Sequence, residues 1–156
     1  MCDYSLMSVP NRLATEGEEL VTHRFRTGAI GLASRADLFR RVEPPPKPRS
    51  FWSVLKGASS PPEDEPVPAV CVPPGARLFL RDIPQRLQRG LEVNQTEAVT
   101  FTQITAAADR YRDAVRFANG REVLLQELPE DLGVRVLSLS SAEAIDPARE
   151  VLARVR

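Results

Sequence analysis

Short stretches of alternating apolar and polar residues predict a protein built mainly from β-strands. In residues 18–25, for example, Leu20 and Thr22 would face one side of a sheet while Val21 faces the other. Residues 28–33 are small and apolar, which predicts a tight bend or a strand that another backbone approaches closely. Further predicted strands lie at residues 67–72, 77–83, 98–105 and 134–139.

Residues 113–128 predict a β-hairpin. Residues 113–117 and 121–128 are rich in β-forming side chains, and Asn119-Gly120 lies between them. Asn-Gly suits a two-residue type I′ turn, in which both residues take positive φ angles. The hairpin is therefore expected to pair the two stretches antiparallel.

Two or three short helices are also predicted. Ser34 can cap a helix over residues 34–41, because its side chain can accept a hydrogen bond from a free backbone amide. Pro84 can open a second helix, and Asp146-Pro147 can open a third over residues 148–155. Together with six or seven short strands, these helices predict a small antiparallel β-barrel or β-sandwich.

Proline divides the chain into three parts. Most of the 14 prolines lie between positions 44 and 74, and within this range residues 59–66 are polar, acidic and unable to form a core. We predict that residues 1–41 form the N-terminal part of a β domain and that residues 42–67 form a mostly disordered linker. Residues 68–156 are then the main part of the domain, ending in the C-terminal helix.

The predicted linker contains a short apolar motif with the only tryptophan of the chain. Phe51, Trp52 and Leu55 have no core of their own in a disordered segment, so they are expected to bind an apolar surface. That surface is either the protein's own β domain, a groove on a partner protein, or a membrane surface, since basic residues flank the motif. We therefore predict that a protein partner binds residues 49–56.

The charge balance and the absence of long apolar runs argue against some classes of partner. The chain has 21 basic and 21 acidic residues, and this neutral sum argues against nucleic acid as a partner. Eight basic residues lie within residues 24–56, which we interpret as a solvated stretch. No apolar run approaches the roughly 18 residues of a membrane-spanning helix. Residues 1–7 lack the features of a secretory signal, so a cytoplasmic location is predicted.

Cys2 and Cys71 are the only cysteines of the chain. Cys71 lies in an apolar predicted strand, where a thiol behaves as a small hydrophobic side chain. Alternatively, the two cysteines lie close together as a redox pair or as ligands of a zinc or other transition-metal ion, with His23 as a third ligand. No CxxC or HxxxH spacing is present, so the metal hypothesis rests on residue types alone.

Cys2 is also the one candidate for catalysis. Removal of Met1 would leave an N-terminal cysteine whose amine could serve as the base for its thiol. Class II glutamine amidotransferases begin in this way, but Asp3 stands where those enzymes have glycine. The chain also lacks the motifs of serine hydrolases, nucleotide-binding proteins and zinc proteases. A non-catalytic protein is therefore the main prediction.

Three stretches of the chain resemble a group of small uncharacterised bacterial proteins. They are Cys-Asp-Tyr-Ser-Leu at residues 2–6, Val-Cys-Val-Pro-Pro-Gly at residues 70–75, and the predicted hairpin at residues 113–125. The resemblance extends over most of the chain outside the linker. It implies a compact intracellular bacterial domain in which both cysteines belong to the shared pattern, whereas His23 does not. It implies no activity, because none is established for the group.

These observations predict a small binding or regulatory domain that contacts a partner through its linker. The alternative is a metal-binding or thiol-redox protein that uses Cys2 and Cys71. A cysteine-dependent enzyme with Cys2 as nucleophile is a weaker alternative. The separation of the two cysteines distinguishes the first two hypotheses, because a disulfide requires Cα atoms within about 7 Å of each other.

Overall fold

The β-strands of the protein form one large sheet. The computed structural model describes residue 6 and residues 8–42, 66–105, 107 and 110–140. The described strands are β1 (Asn11–Leu13), β2 (Glu19–Arg24), β3 (Ile30–Ser34), β4 (Ala69–Cys71), β5 (Arg77–Arg81), β6 (Glu97–Gln103), β7 (Asp113–Phe117), β8 (Glu122–Leu124) and β9 (Gly133–Ser138). The described part also contains helices α1 (Arg35–Val42) and α2 (Gln85–Leu91), and a 3-10 turn at Leu125–Glu127.

The nine strands lie in the order β1-β4-β3-β2-β9-β5-β6-β7-β8. Neighbouring strands pair antiparallel, except that β1 and β4 run parallel, with Asn11 opposite Ala69. The prediction of a mainly β protein is confirmed. The described sheet is mixed, however, and it is not closed into a barrel, because β1 and β8 remain at its two edges. The sequence predicts only six or seven strands because β1 has three residues and no apolar alternation, and because the residues of β3 also fit a tight bend.

The main core lies on one face of the sheet. Strand alternation places Leu78 and Leu80 in this core, while Arg77, Phe79 and Arg81 face the other side. Leu87 and Leu91 of α2 pack against the same core. The largest fully buried side chains are Phe101, Leu20, Leu78, Leu80, Val115, Val134, Val136 and Thr22.

A second apolar cluster lies on the opposite face of β2, β3 and β4. This second cluster consists of Leu6, Val9, Phe25, Ala29, Ala33, Val67 and Ala69, with Leu38 of α1 packed against it. All five residues of β3 are buried, because Leu32 faces the main core while Gly31 and Ala33 face the second cluster. The small residues predicted as a bend or a closely approached strand therefore form a strand covered on both faces.

The predicted hairpin is present as β7 and β8, but its turn differs from the expected type. Arg116 pairs with Glu122, and Phe117 and Arg121 close a loop of three residues. Only Gly120 in this loop has a positive φ, of 84°, whereas a type I′ turn would require one at Asn119 as well. Asn119 instead donates from Nδ2 to the carbonyl of Leu91 at 2.8 Å, which ties the turn to the end of α2.

The two described helices begin where they were predicted to begin. Pro84 precedes α2 with an extended backbone conformation, and α2 ends at Leu91 before Glu92, which has a φ of 56°. α1 follows β3 directly and ends at Val42. The predicted C-terminal helix at residues 148–155 lies outside the described residues, as does most of the predicted linker. Within the described residues, no helix is long and apolar enough to span a membrane.

Candidate functional site

Cys71 lies at the end of β4 and faces the same side of the sheet as the second cluster. The side chain of Val70 enters the main core, so Cys71 faces the other side by strand alternation, and it is only 6% exposed. Cys71 is disulfide-bonded, and the described residues contain no free cysteine. Cys2, the other cysteine of the chain, lies outside the described residues. The expected Cys2–Cys71 contact therefore stays a prediction.

Leu6 packs directly over β3 beside this site. A β-carbon built on Gly31 would lie 2.6 Å from Cδ1 of Leu6 and 3.1 Å from the ring of Phe25. Only glycine leaves enough space for this approach, and Leu6 is 3% exposed as a result. Leu6 is four residues from Cys2 in the chain. Ala33 pairs with Ala69 in the antiparallel β3–β4 ladder, so Cys71, two residues further along β4, lies on the side of this pair toward Gly31. Leu6 belongs to no sequence motif that points to this contact, because no local pattern identifies its partner on β3.

Replacement of Gly31 by alanine is expected to lower the free energy of unfolding by about 2 kcal/mol, because the added methyl group collides with Leu6 in a packed cluster. Gly90→Ala is the matched control, since a β-carbon there meets nothing within 4 Å. Gly90 lies within α2, so alanine should stabilise the protein by up to about 1 kcal/mol. Urea unfolding of both variants measures the difference. A Gly31→Ala protein as stable as the parent would contradict the packing of Leu6 over β3.

His23 lies on β2, two strands away from Cys71, and faces the same side of the sheet. It pairs with Gly31 in the β2–β3 ladder, and its ring meets the ring of Phe25 edge to face, with centroids 5.0 Å apart. Phe25 and Leu6 occupy the space above Gly31, between the two predicted ligands. The described residues include no group of three histidine, cysteine or acidic side chains arranged to hold a metal ion. The predicted site of Cys2 and Cys71, with His23 as a third ligand, includes a residue outside the described part of the chain and stays a prediction.

A cleft of about 320 Å³ opens beside His23. Val9, Phe25 and Val67 give the cleft apolar walls, and Ser8 and Thr27 add hydroxyl groups. Pro66, the first described residue after residues 43–65 and still part of the predicted linker, also lines it. The cleft therefore lies where the chain re-enters the domain.

A charged cluster joins β1 to the start of β2 and to α1. Glu18 accepts hydrogen bonds from Arg12, including one of 3.2 Å from Nη1, and from the backbone amide of Thr15 at 3.0 Å. Arg12 also reaches Asp37 of α1 at 3.4 Å. Burial raises the pKa of Glu18, but the hydrogen bonds from Arg12 and Thr15, with the charge of Arg12, outweigh it and hold that pKa below its ordinary value. The cluster stabilises the edge of the sheet and includes no predicted site residue.

Glu18→Gln is expected to lower the free energy of unfolding by about 1 kcal/mol at neutral pH, since it removes a charged acceptor. A carboxylate with a lowered pKa in the folded state stabilises the protein above its unfolded pKa, and this contribution is lost as the pH falls through the folded pKa. The difference between parent and variant should therefore shrink as the pH falls below the ordinary glutamate pKa, and it should vanish only below the lowered pKa of Glu18. Glu130→Gln is the control, because Glu130 forms an exposed pair with Arg24. Thermal melts of the parent and of Glu18→Gln at several pH values test this prediction. A stability difference that stayed constant with pH would contradict the stabilising role of the Glu18 carboxylate.

The predicted partner-binding residues Phe51, Trp52 and Leu55 lie outside the described residues. The described chain on both sides of them is well anchored. Leu38 of α1 packs against the second cluster, and Val67 is a buried member of it. Residues 43–65 therefore begin and end beside the same part of the domain.

No family model matches the chain, and no curated protein or solved structure matches it significantly.

Proposed function

We propose that the protein is a small binding domain that contacts a protein partner through Phe51, Trp52 and Leu55. The observation that supports this function is that the second cluster packs Leu38 and Val67, on the two sides of residues 43–65. A domain that holds both ends of an insertion limits the positions that the insertion can take, which lowers the entropy lost on binding. The body of the protein then serves as the scaffold for a binding segment.

The composition of the motif indicates which kind of partner surface fits. Phe51, Trp52 and Leu55 are large apolar side chains, and aromatic residues commonly dominate binding energy at interfaces. Arg49 and Lys56 flank them. A partner protein with an apolar groove bordered by acidic residues would complement both features. We propose a cytoplasmic partner, in line with the location predicted from the sequence.

The proposal is tested with the immobilised full-length protein and the variants Trp52→Ala and Phe39→Ala. Phe39 is the matched control, because it is an aromatic residue of α1 with 62% exposure and lies outside the motif. A partner captured by the parent should be lost with Trp52→Ala and retained with Phe39→Ala. The purified partner should then shift the fluorescence of Trp52, the only tryptophan of the chain. Equal capture by both variants, or no shift with the purified partner, would overturn the proposal.

A second candidate function is thiol-based redox sensing. Cys71 is disulfide-bonded, and we propose that Cys2 is its partner, because it is the only other cysteine of the chain. Disulfides are rare in a reducing cytoplasm, and those that form there are usually transient and regulatory. Reduction would remove the covalent link between the N-terminal segment and β4, and Leu6 would remain packed over β3.

Two measurements distinguish this function from a structural disulfide. Mass spectrometry of the non-reduced, digested protein should identify a peptide pair linked through Cys2 and Cys71. Equilibration with glutathione buffers should give a reduction potential within the cytoplasmic range, whereas a much lower potential indicates a structural bond. Elemental analysis of the reduced protein tests the metal hypothesis separately, since both thiols are then available as ligands. A linked pair between two different chains would contradict the proposal.

A further inference from the structure

One half of the sheet has a solvent-exposed face that is rich in arginine. Strands β9, β5, β6 and β7 bury alternate residues in the main core, so the intervening side chains lie on the opposite side. We call this side the outer face. Its central residues are Arg77, Phe79, Arg81, Thr100, Arg116 and Arg135.

The outer face has an excess of positive charge. Arg81 and Arg135 share the carboxylate of Glu19, and Arg116 pairs with Glu122 at 2.7 Å. The side chain of Arg77 is exposed and has neither a hydrogen bond nor an ion pair among the described residues. Four arginines thus face two carboxylates. The neutral sum of the whole chain conceals this local excess, because the fold separates charges that the sequence intermixes.

The register places these arginines at regular intervals around an aromatic ring. Arg77 and Arg116 both pair with Thr100, on its two sides, so their Cα atoms are about 10 Å apart. Arg135 pairs with Phe79, which is half-buried and lies between Arg77 and Arg81 on β5. The guanidinium group binds phosphate through two donors at once. An aromatic ring on an open sheet offers a stacking surface for a base.

We propose that the outer face binds single-stranded nucleic acid, a function that is independent of the partner-binding motif. Arg77 and Arg116 would contact phosphates on the two sides of Thr100, while Phe79 would contact a base. Duplex nucleic acid fits less well, because its stacked bases cannot reach a ring that lies in a sheet surface. Recognition through phosphates and stacking implies little sequence preference.

Fluorescence anisotropy of labelled oligo-dT and oligo-rU of about 12 nucleotides, with the full-length protein, tests the proposal. Binding should weaken with salt, with a log–log slope of about −1.4 if Arg77 and Arg116 each neutralise one phosphate. Removing both Arg77 and Arg116 by alanine substitution should weaken binding at least about tenfold. The control protein combines Arg86→Ala and Arg89→Ala, which remove the same charge from exposed positions on α2. It should change binding less than about twofold, since these residues contact no phosphate.

Three outcomes would overturn the proposal. The first is no binding of either oligonucleotide at about 100 μM protein and low salt, where non-specific complexes normally form. The second is an equal loss in the two double variants, which would indicate attraction to net charge alone. The third is competition by a polyglutamate peptide as strong as that by oligonucleotide, which would assign the face to an acidic protein. Circular dichroism of each variant verifies that the fold is retained.

Discussion

Reduction of the Cys71 disulfide is expected to lower the free energy of unfolding by about 4 kcal/mol if Cys2 is the bonded partner. The bond would then close a loop of about 70 residues, and the loss of loop entropy in the unfolded chain grows with loop length. Urea unfolding of the parent with and without dithiothreitol measures the effect. This comparison leaves every side chain unchanged, so it isolates the bond from any packing change at Cys71.

Two variants identify the partner of Cys71. Under oxidising conditions, Cys2→Ser and Cys71→Ala should each be as unstable as the reduced parent, and dithiothreitol should have no further effect on either. Cys71→Ala is preferable to serine, because the site is buried and a hydroxyl there would need a hydrogen-bond partner. A Cys2→Ser protein that kept the full stability of the oxidised parent would exclude Cys2 as the partner.

This result bears on the redox proposal through Leu6. If reduction removes the covalent link, the N-terminal segment is held to β3 chiefly by the contact over Gly31. The reduced Gly31→Ala protein should then lose both restraints. A protease should therefore cleave its N-terminal segment faster than that of the reduced parent or of the oxidised Gly31→Ala protein. Equal cleavage rates in all forms would show that neither restraint holds the segment.

Elements that depend on local chemistry could be predicted from the sequence. The β7–β8 hairpin, α2 and the strand at β5 each follow from alternation and from turn residues within a few positions. The strand predicted to Ile83 ends at Arg81, because Asp82 takes a positive φ of 61° that no local pattern requires. The prediction of a type I′ turn was wrong for a similar reason. The side chain of Asn119 donates a hydrogen bond to the end of α2, a contact that no local pattern indicates.

Features that join distant parts of the chain could not be predicted. The parallel pairing of β1 with β4 brings together residues 11–13 and 69–71, which no short pattern connects. The sequence analysis recognised Cys71 as an apolar strand residue but could not identify what packs beside it. The outer face likewise depends on register, because Arg77 and Arg116 become neighbours only when both strands pair with Thr100. Net charge, which the sequence does provide, contains no information about such a face.

The other large effect is expected from Thr22→Val, which should lower the free energy of unfolding by about 3 kcal/mol. Thr22 is completely buried on β2, and its hydroxyl accepts a hydrogen bond from the amide of Leu132 at 2.9 Å. The same hydroxyl donates to the carbonyl of Pro129 at 2.5 Å. Valine has nearly the same shape, so the substitution leaves the packing intact, but the buried amide of Leu132 and the part-buried carbonyl of Pro129 lose their partner.

The hydroxyl of Thr22 holds the turn that leads into β9. The backbone of Thr22 also bonds to Leu132 and Asp131, and Asp131 takes a positive φ of 62° in this turn. β9 pairs with both β2 and β5, so loosening its start should weaken the connection between the two halves of the sheet. Thr22→Ser keeps the hydroxyl and should cost only about 1 kcal/mol for the lost methyl group. Thr100→Val, on the outer face, should have almost no effect, because its position is half-exposed.

Urea unfolding and amide hydrogen exchange together test the role of Thr22. The amide of Leu132 should lose protection in Thr22→Val by a larger factor than amides in the β7–β8 hairpin, since only the former loses its acceptor. Thr22→Ser should retain that protection. A Thr22→Val protein with the stability of the parent would mean that water replaces the hydroxyl. The connection between the halves of the sheet would then rest on the β2–β9 and β5–β9 ladders alone.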